Sequence, residues 1–355
     1  MVQKASVTSP ITMLNLIISL AAACVFSVVV TGLVRGYALK HSVIDEPNER
    51  SSHSIPTPRG GGLSITLSVL VGVGLLALWG MIPEQFAVAL GGGGVLVSVV
   101  GWIDDHRNLP AIWRAVIYSI AAVWALTWIG GLDSISIGFF YLNSRYLCNF
   151  LAILGIVWLT NLYNFMDGTD GIAATQATTA AVLSGMLFWL SAQPGLALIC
   201  FVLASSCIGF LVWNWPPARI FMGDVGSCLI GFAFALLAII GEKTESVPVL
   251  IWIILLSVFV CDATLTLMKR IVSGEQWYRA HRSHAYQRLV QLGLDHRRLA
   301  LWLLLLNVVI LWPFAYVAYY YKKLSLPLTL LAVMIMTVIW IIIQWRFSRF
   351  TGTGS

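Results

Sequence analysis

Two carboxamides and two carboxylates recur at regular spacing in Asn161-Leu162-Tyr163-Asn164-Phe165-Met166-Asp167-Gly168-Thr169-Asp170-Gly171. Residues three apart share one face of a helix. Asn161, Asn164 and Asp167 are therefore expected to form a polar stripe where the apolar run 147–159 ends, with Gly168 and Gly171 loosening the backbone around Asp170. A polar cluster at the end of a membrane helix is costly unless it faces water or a ligand. A solvated helix end accounts for one aspartate. It accounts poorly for two amides, two acids and two glycines together, and two further acidic sites repeat the pattern.

The first of these is Asp104-Asp105, ahead of His106, Arg107 and Pro110. Adjacent carboxylates repel, and one is pushed toward its neutral form unless a cation sits nearby. The pair either binds Mg²⁺ or acts as a base, or it caps the next helix, for which one acid suffices. The second is Asp224, between Gly223 and Gly226 at the start of an apolar run. Glycines beside an aspartate at a helix start suit a metal-bridged phosphate. A plain N-cap is the simpler reading, but Asn214 and Arg219 just upstream make the combination more informative than a cap.

Basic residues accompany these acids. A loop at 44–62 carries Arg50, His53 and Arg59, the last beside Gly60-Gly61-Gly62, and glycines let backbone N–H groups approach an anion. A long loop at 269–298 contains Arg279-Ala280-His281-Arg282-Ser283-His284-Ala285-Tyr286-Gln287-Arg288. Mixed His and Arg suit a nucleotide diphosphate, or a cationic segment lying on anionic lipid. His281 and His284 also have metal-ligand spacing, with no third ligand nearby.

The elements that position these residues are apolar. Of 355 residues, 59% are hydrophobic and 10% charged, against roughly 25% charged in a soluble domain. The chain therefore reads as an all-α integral membrane protein, one domain over 1–355. A span needs about 20 apolar residues, and eleven candidates lie at 11–34, 62–79, 86–103, 111–132, 147–162, 171–190, 196–213, 225–241, 249–268, 299–321 and 326–345. Arg35 follows the first run directly, which reads as an uncleaved span rather than a signal peptide. Gly91–Gly94 in the third run would let helices approach closely. The six cysteines form no Cys-x-x-Cys pair and suggest neither disulfides nor zinc. Of 21 Lys and Arg residues, sixteen fall in one set of connections and five in the other. By the positive-inside rule the N-terminus is outside and the C-terminus inside, with every polar motif on the cytoplasmic face. The net charge of +6 belongs to those loops and implies no nucleic-acid partner.

Acids, amides and arginines without a cysteine cluster suit Mg²⁺, or Mn²⁺, together with phosphates, and hence phosphoryl transfer. The location at a membrane boundary suggests one substrate from each phase, a nucleotide and a lipid phosphate. A transporter or flippase is the rival class, but transporter sites lie near the bilayer midplane. Asp262 is the one carboxylate placed well within a span, near its inside end, where it either joins the site or pairs with Lys269.

Taken together, Asn-x-x-Asn-x-x-Asp-Gly-x-Asp-Gly at 161–171, Asp104-Asp105 and Phe-Met-Gly-Asp-x-Gly-Ser at 221–227 resemble the polyprenyl-phosphate N-acetylhexosamine-1-phosphate transferases. Asp-x-Pro-Asn-x-Arg at 45–50, which includes Asn48, and Pro-Thr-Pro-Arg-Gly-Gly at 56–61 look like the branch that initiates O-antigen or related polysaccharides. The resemblance implies transfer of a sugar-1-phosphate from a UDP-N-acetyl sugar to undecaprenyl phosphate in a bacterial inner membrane, releasing UMP. It implies a metal at Asp224, with Asp167 as the loop carboxylate and shared ligand, and an essential acidic pair at Asp104 and Asp105. Asn164, Asp170 and Asn214 match further motif positions, and a homodimer is the family-level expectation. The chain departs from the pattern at Ser51-Ser52, where relatives carry a lysine before the histidine. It departs again at Tyr286-Gln287, where a His-His pair follows the histidine matched by His284. The second departure argues against a pentapeptide-bearing donor.

Overall fold

Inside a bilayer every backbone polar group must find its partner within the protein, so apolar runs of this kind become helices. The computed structural model describes residues 13–47, 55–107, 109–276 and 281–352. It is an all-α, multi-pass membrane protein. Among the described residues nine helical segments are long and apolar enough to cross a bilayer. They are α1 (Met13–Lys40), α3 (Glu84–Arg107), α4 (Ala111–Ile129), α5 (Arg145–Phe165), α6 (Ile172–Leu190), α7 (Pro194–Asn214), α8 (Asp224–Lys243), the composite His296–Tyr320 and the composite Lys322–Thr351. The first composite joins α12 (His296–Leu306) to α13 (Trp312–Tyr320) through a π turn at Asn307–Leu311, and the second consists mainly of α14 (Ser325–Thr351).

Each of the eleven expected spans coincides with a helix, but two differ in kind. α2 (Leu63–Leu78) has 16 residues, a length of about 24 Å at 1.5 Å per residue, short of a hydrocarbon core about 30 Å thick. The expected span 249–268 is broken: α9 (Val249–Leu255) and α10 (Ser257–Val272) meet at 81°. No proline or glycine lies at this bend. It is held from outside, by Gln176 Nε2 donating to the Leu255 carbonyl (2.8 Å) and Asn307 Nδ2 donating to Gln176 Oε1 (2.9 Å).

The centre of the bundle is α8, buried at every residue from Val225 to Glu242 and packed against α3, α5 and α2. A helix apolar all round belongs in a core. Close approach is built in by small residues: a Cβ at Gly62 would lie 2.5 Å from the Gly226 Cα, so the start of α2 and the start of α8 touch backbone to backbone. In the glycine patch of α3, Gly93 faces the Phe232 ring of α8, as the sequence suggested.

The loops at the polar end are shaped by α8 as well. Residues 44–45 pair antiparallel with 57–58 (Ile44 opposite Pro58, Asp45 opposite Thr57), and the chain then runs alongside 220–222 through Phe221 N–H to the Pro58 carbonyl (2.8 Å). A second small ribbon, Ile135–Ile137 with Phe140–Leu142, lies at the opposite end.

One expectation about the opening motif fails. α5 ends at Phe165, so Asn161 and Asn164 lie on its inner end, whereas Asp167 lies beyond it. The Asp167 N–H closes the last turn onto the Asn164 carbonyl (3.2 Å), and the chain leaves the helix there, ahead of Gly168.

Candidate active site

The site is assembled at the N-terminus of α8. Gly223, with φ +76°, turns the chain into the helix, and a Cβ at this position would meet Asp105 Oδ2 at 2.5 Å. Conformation and space both require glycine. Asp105, at the end of α3 and 2% exposed, accepts hydrogen bonds from Asp224 N–H (3.0 Å) and Val225 N–H (3.3 Å). It therefore caps a helix that follows it by 119 residues, satisfying donors that α8 cannot satisfy itself. The adjacent acids of the motif thus have separate roles.

Asp104 turns the other way. Its Oδ1 accepts from Leu109 N–H, and its Oδ2 receives Arg114 Nη1 at 2.8 Å. The same Arg114 nitrogen reaches Asp224 Oδ2 at 3.2 Å, so one guanidinium crosses both carboxylates. In the sequence Arg114 counts only among the sixteen basic residues of the inside connections, not as a site candidate. The available signal was its position one turn into α4, directly after the Asp-Asp loop.

Asp167 approaches from the turn after α5 and accepts from the Gly223 backbone. Burial, with the negative charges of Asp224, Asp105 and Asp170 nearby, pushes its carboxyl well above the usual carboxylate range. Asn164 Nδ2 donates to Ser227 Oγ on α8 (3.2 Å), and Asn161 Nδ2 donates to its own helix at the Val157 carbonyl (2.8 Å). Asp104, Asp105, Asp167, Asp224 and Asn164 are thus brought to one place.

Other sequence candidates hold the site's frame. Asn214, 3% exposed, accepts from Gly171 N–H (2.9 Å) and donates to the Ile220 carbonyl (2.9 Å), tying two loops together. Asp170 accepts from Ala218 N–H (3.0 Å) and lies 3.2 Å from His296 Nδ1 at the start of α12. His296 was missed; a histidine in the first turn of a span at the polar end was its only signal. Two of the three glycines do not face an anion as expected. Gly61 and Gly62 N–H donate to the Phe221 and Met222 carbonyls (2.9 and 2.8 Å), so these glycines serve close packing on α8. Arg59, just before them, lies within electrostatic reach of Asp105. Asn48, Arg50 and His53 lie outside the described residues.

From the last polar loop, His284 is 4% exposed and precedes α11 (Ala285–Gln291). Tyr286 donates its hydroxyl to the Phe165 carbonyl (3.0 Å) and lies against Gly168, so this loop meets the 167–171 turn. Arg282 lies two residues before His284, and its carbonyl accepts from Gln291 Nε2 (2.9 Å). The buried Thr169 Oγ1 and Gln287 Oε1, both bordering that turn, have no hydrogen-bond partner among the described residues. Burial and the neighbouring His284 and Arg270 push the His281 imidazole down to about 4. Asp262 does not pair with Lys269, whose Nζ donates to Gln344 Oε1 (3.3 Å).

Four carboxyl groups meet here, two of them on the Arg114 guanidinium and Asp105 within reach of Arg59, so acids outnumber the cations beside them, a setting for a metal ion and for phosphates. Among the described residues no three His, Cys, Asp or Glu side chains are grouped to hold a metal by themselves. Mg²⁺ needs no such cage, being held by one or two carboxylates with water and substrate phosphates. Asp224 and Asp167 offer that all-oxygen set, whereas Asp105 is engaged on two amides.

Residues 87–242, which span α3 to α8 and most of this site, match the model of glycosyl transferase family 4. A probable undecaprenyl-phosphate N-acetylglucosaminyl 1-phosphate transferase of Bacillus subtilis is 29% identical over 303 residues, covering 84% of this chain and 83% of the relative. A decaprenyl-phosphate N-acetylglucosaminephosphotransferase of Mycobacterium leprae is 31% identical over 315 residues, covering 79% and 78%. An undecaprenyl-phosphate alpha-N-acetylglucosaminyl 1-phosphate transferase of Escherichia coli O157:H7 is 25% identical over 274 residues, covering 74% and 73%.

Proposed function

The chain belongs to the polyprenyl-phosphate N-acetylhexosamine-1-phosphate transferases of glycosyl transferase family 4, and from that premise we propose that it transfers N-acetylhexosamine-1-phosphate from a UDP-sugar to undecaprenyl phosphate and releases UMP. The names of its relatives favour N-acetylglucosamine as the sugar. The product would start an O-antigen or related surface polysaccharide, as the 45–50 and 56–61 motifs suggest. The observation that carries the reading is the convergence of Asp104, Asp167, Asp224 and Arg114 on the first turn of α8, at one end of the bundle. The excess of Lys and Arg in the loops at that end supports a cytoplasmic site in a bacterial inner membrane.

The chemistry is a single displacement. An oxygen of the lipid phosphate, largely dianionic near neutral pH because its second pKa is about 6, forms a bond to the β-phosphorus. The bridging P–O bond to the α-phosphate breaks, and UMP leaves with the electron pair. Arg114 neutralises charge on the transferring group, and Asp104, held by Arg114 and Leu109 N–H, orients the nucleophile and takes any residual proton. Mg²⁺, or Mn²⁺, held by Asp224 and Asp167 with the donor diphosphate, would neutralise the bridging phosphates. Asp105 acts through α8, by keeping Asp224 at its place. Asn164 and Asn214 fix the two loops. Arg59, Arg282 and His284 are assigned to the donor, together with Asn48, Arg50 and His53 on the sequence motifs.

The test is UMP release by purified protein offered UDP-N-acetylglucosamine, UDP-N-acetylfucosamine or UDP-N-acetylquinovosamine. Release that needs undecaprenyl phosphate and stops with EDTA supports the reading, and the fastest donor names the sugar. Release independent of the lipid, or none from folded protein with any donor, refutes it.

A further inference from the structure

An aspartate inside an apolar segment is expensive unless its charge is answered. Asp262, six residues into α10 and 6% exposed, is answered by another element. Its Oδ1 accepts from Ala285 N–H at 2.7 Å, its Oδ2 accepts from Tyr286 N–H at 3.1 Å, and Thr266 Oγ1 donates to Oδ1 at 3.1 Å. The His284 Nδ1 lies 3.6 Å from Oδ1. The first amides of any helix lack partners inside it. His284, at the N-cap of α11, makes no side-chain cap of its own. The carboxylate of α10 does that work across 23 residues.

Two contacts extend this anchor in opposite directions. Outward, Tyr286 passes from α11 to the Phe165 carbonyl (3.0 Å) and lies against Gly168, the neighbour of Asp167. Inward, α10 is fixed at its bend with α9 by Gln176 on the Leu255 carbonyl and Asn307 on Gln176. Held at the bend and at Asp262, α10 is thereby tied through α11 to the turn that carries Asp167.

We propose that Asp262 is a positioning residue of the transferase: by capping α11 it sets His284 and, through Tyr286, the 167–171 turn, and so controls binding of the nucleotide-sugar donor. This rests on the function proposed above, and the first measurement does not depend on turnover. Hydrogen exchange on the full chain in detergent compares wild type with Asp262→Asn, which has a single acceptor oxygen and no charge. Exchange across 285–288 should rise about ten-fold, as expected when amides lose a charged acceptor, while α3 and α8 stay protected. In steady state the donor KM should rise by a similar factor and the undecaprenyl phosphate KM should not move. Asp262→Glu, which keeps both oxygens, should recover most of the protection and most of the donor KM. Tyr286→Phe cuts only the outward link and should raise the donor KM with 285–286 still protected. It also decides the matter if Asp262→Asn fails to fold. Unchanged exchange at 285–286 in Asp262→Asn would overturn the proposal. So would an unchanged donor KM in both Asp262→Asn and Tyr286→Phe, since a purely structural staple lowers the yield of folded protein and leaves KM alone. UMP release by the wild type is the separate control on the transferase reading, and its absence would leave the exchange result standing.

Discussion

α8 carries an acid in its first turn and another near its last, and the two ends are built differently. At the far end Glu242, 8% exposed, accepts from Ser136 N–H (2.5 Å) and Val249 N–H (2.8 Å), and Lys243 beside it donates to the Gly131 carbonyl (2.8 Å). A cavity of about 250 Å³ opens there, lined by acids and lysines of both signs, among them Asp133, Glu245 and Lys322. At the near end Asp105 likewise accepts two backbone amides, both from the first turn of α8. Beside it, however, Asp104 and Asp224 share the guanidinium of Arg114, and Asp167 comes in on the Gly223 backbone. A buried, capped carboxylate is thus an ordinary way to finish a membrane helix. What separates a reaction centre from a well-finished end is carboxylate charge left over after the backbone is satisfied.

That contrast breaks most sharply at Asp224. Asp224→Asn keeps the shape of the first turn of α8 and removes a charge that Arg114 and a metal would share, so UMP release should fall ~10²–10³-fold, the scale for losing one electrostatic group at a reacting centre. Circular dichroism and the unfolding midpoint should stay near wild type. Arg114→Ala should cost about 10²-fold in kcat, and Arg114→Lys should recover part of it, because a point charge cannot span two carboxylates as a guanidinium does. An Arg114→Ala enzyme with wild-type kcat would remove Arg114 from the chemistry. Asn214→Ala leaves the Gly171 N–H and the Ile220 carbonyl unpaired, a loss of about 1–3 kcal/mol for each buried group. Thermal unfolding should show that loss, and turnover should fall because the 167–171 turn loosens.

Glu242→Gln sharpens the comparison from the other side. It leaves one of two amides without its acceptor, and the unfolding midpoint should drop by a shift worth about 1–3 kcal/mol. UMP release per folded molecule should be unchanged, and a large loss of turnover would mean the two ends are not separable. The smallest effect concerns His281. Its folded-state value of about 4 lies below the ordinary imidazole value of about 6.5, so between these values the unfolded chain binds a proton that the folded chain refuses. Stability contributed by this group is present above pH 6.5 and is lost as pH falls from 6.5 toward 4. Hydrogen exchange over 281–291 should report it, and His281→Gln should flatten that dependence.

The residues that bear charge were legible because a span end has no other reason to hold so many acids, and the all-α class was legible because a bilayer permits little else. What was illegible was long-range. Nothing near Asp105 shows that it caps a helix beginning at Asp224, and nothing near Asp262 points to the amides of Ala285 and Tyr286. The Gly60–Gly62 run looks like an anion loop until the Phe221 and Met222 carbonyls take the N–H groups of Gly61 and Gly62. The bend between α9 and α10 has no local breaker, because its support comes from Gln176 and Asn307 on other helices. Arg114 was passed over as one more basic loop residue, since its value lies in which two carboxylates the fold places beside it.

The most direct test of the central claim follows the phosphorus. With UDP-N-acetylglucosamine labelled with ³²P at the β-phosphate, purified protein and undecaprenyl phosphate, the label is counted in the butanol-extracted lipid. Label should appear in the lipid for wild type and for Glu242→Gln, and only background for Asp224→Asn. Label transferred at the wild-type rate by Asp224→Asn, or UMP released while the label stays in water, would contradict that claim.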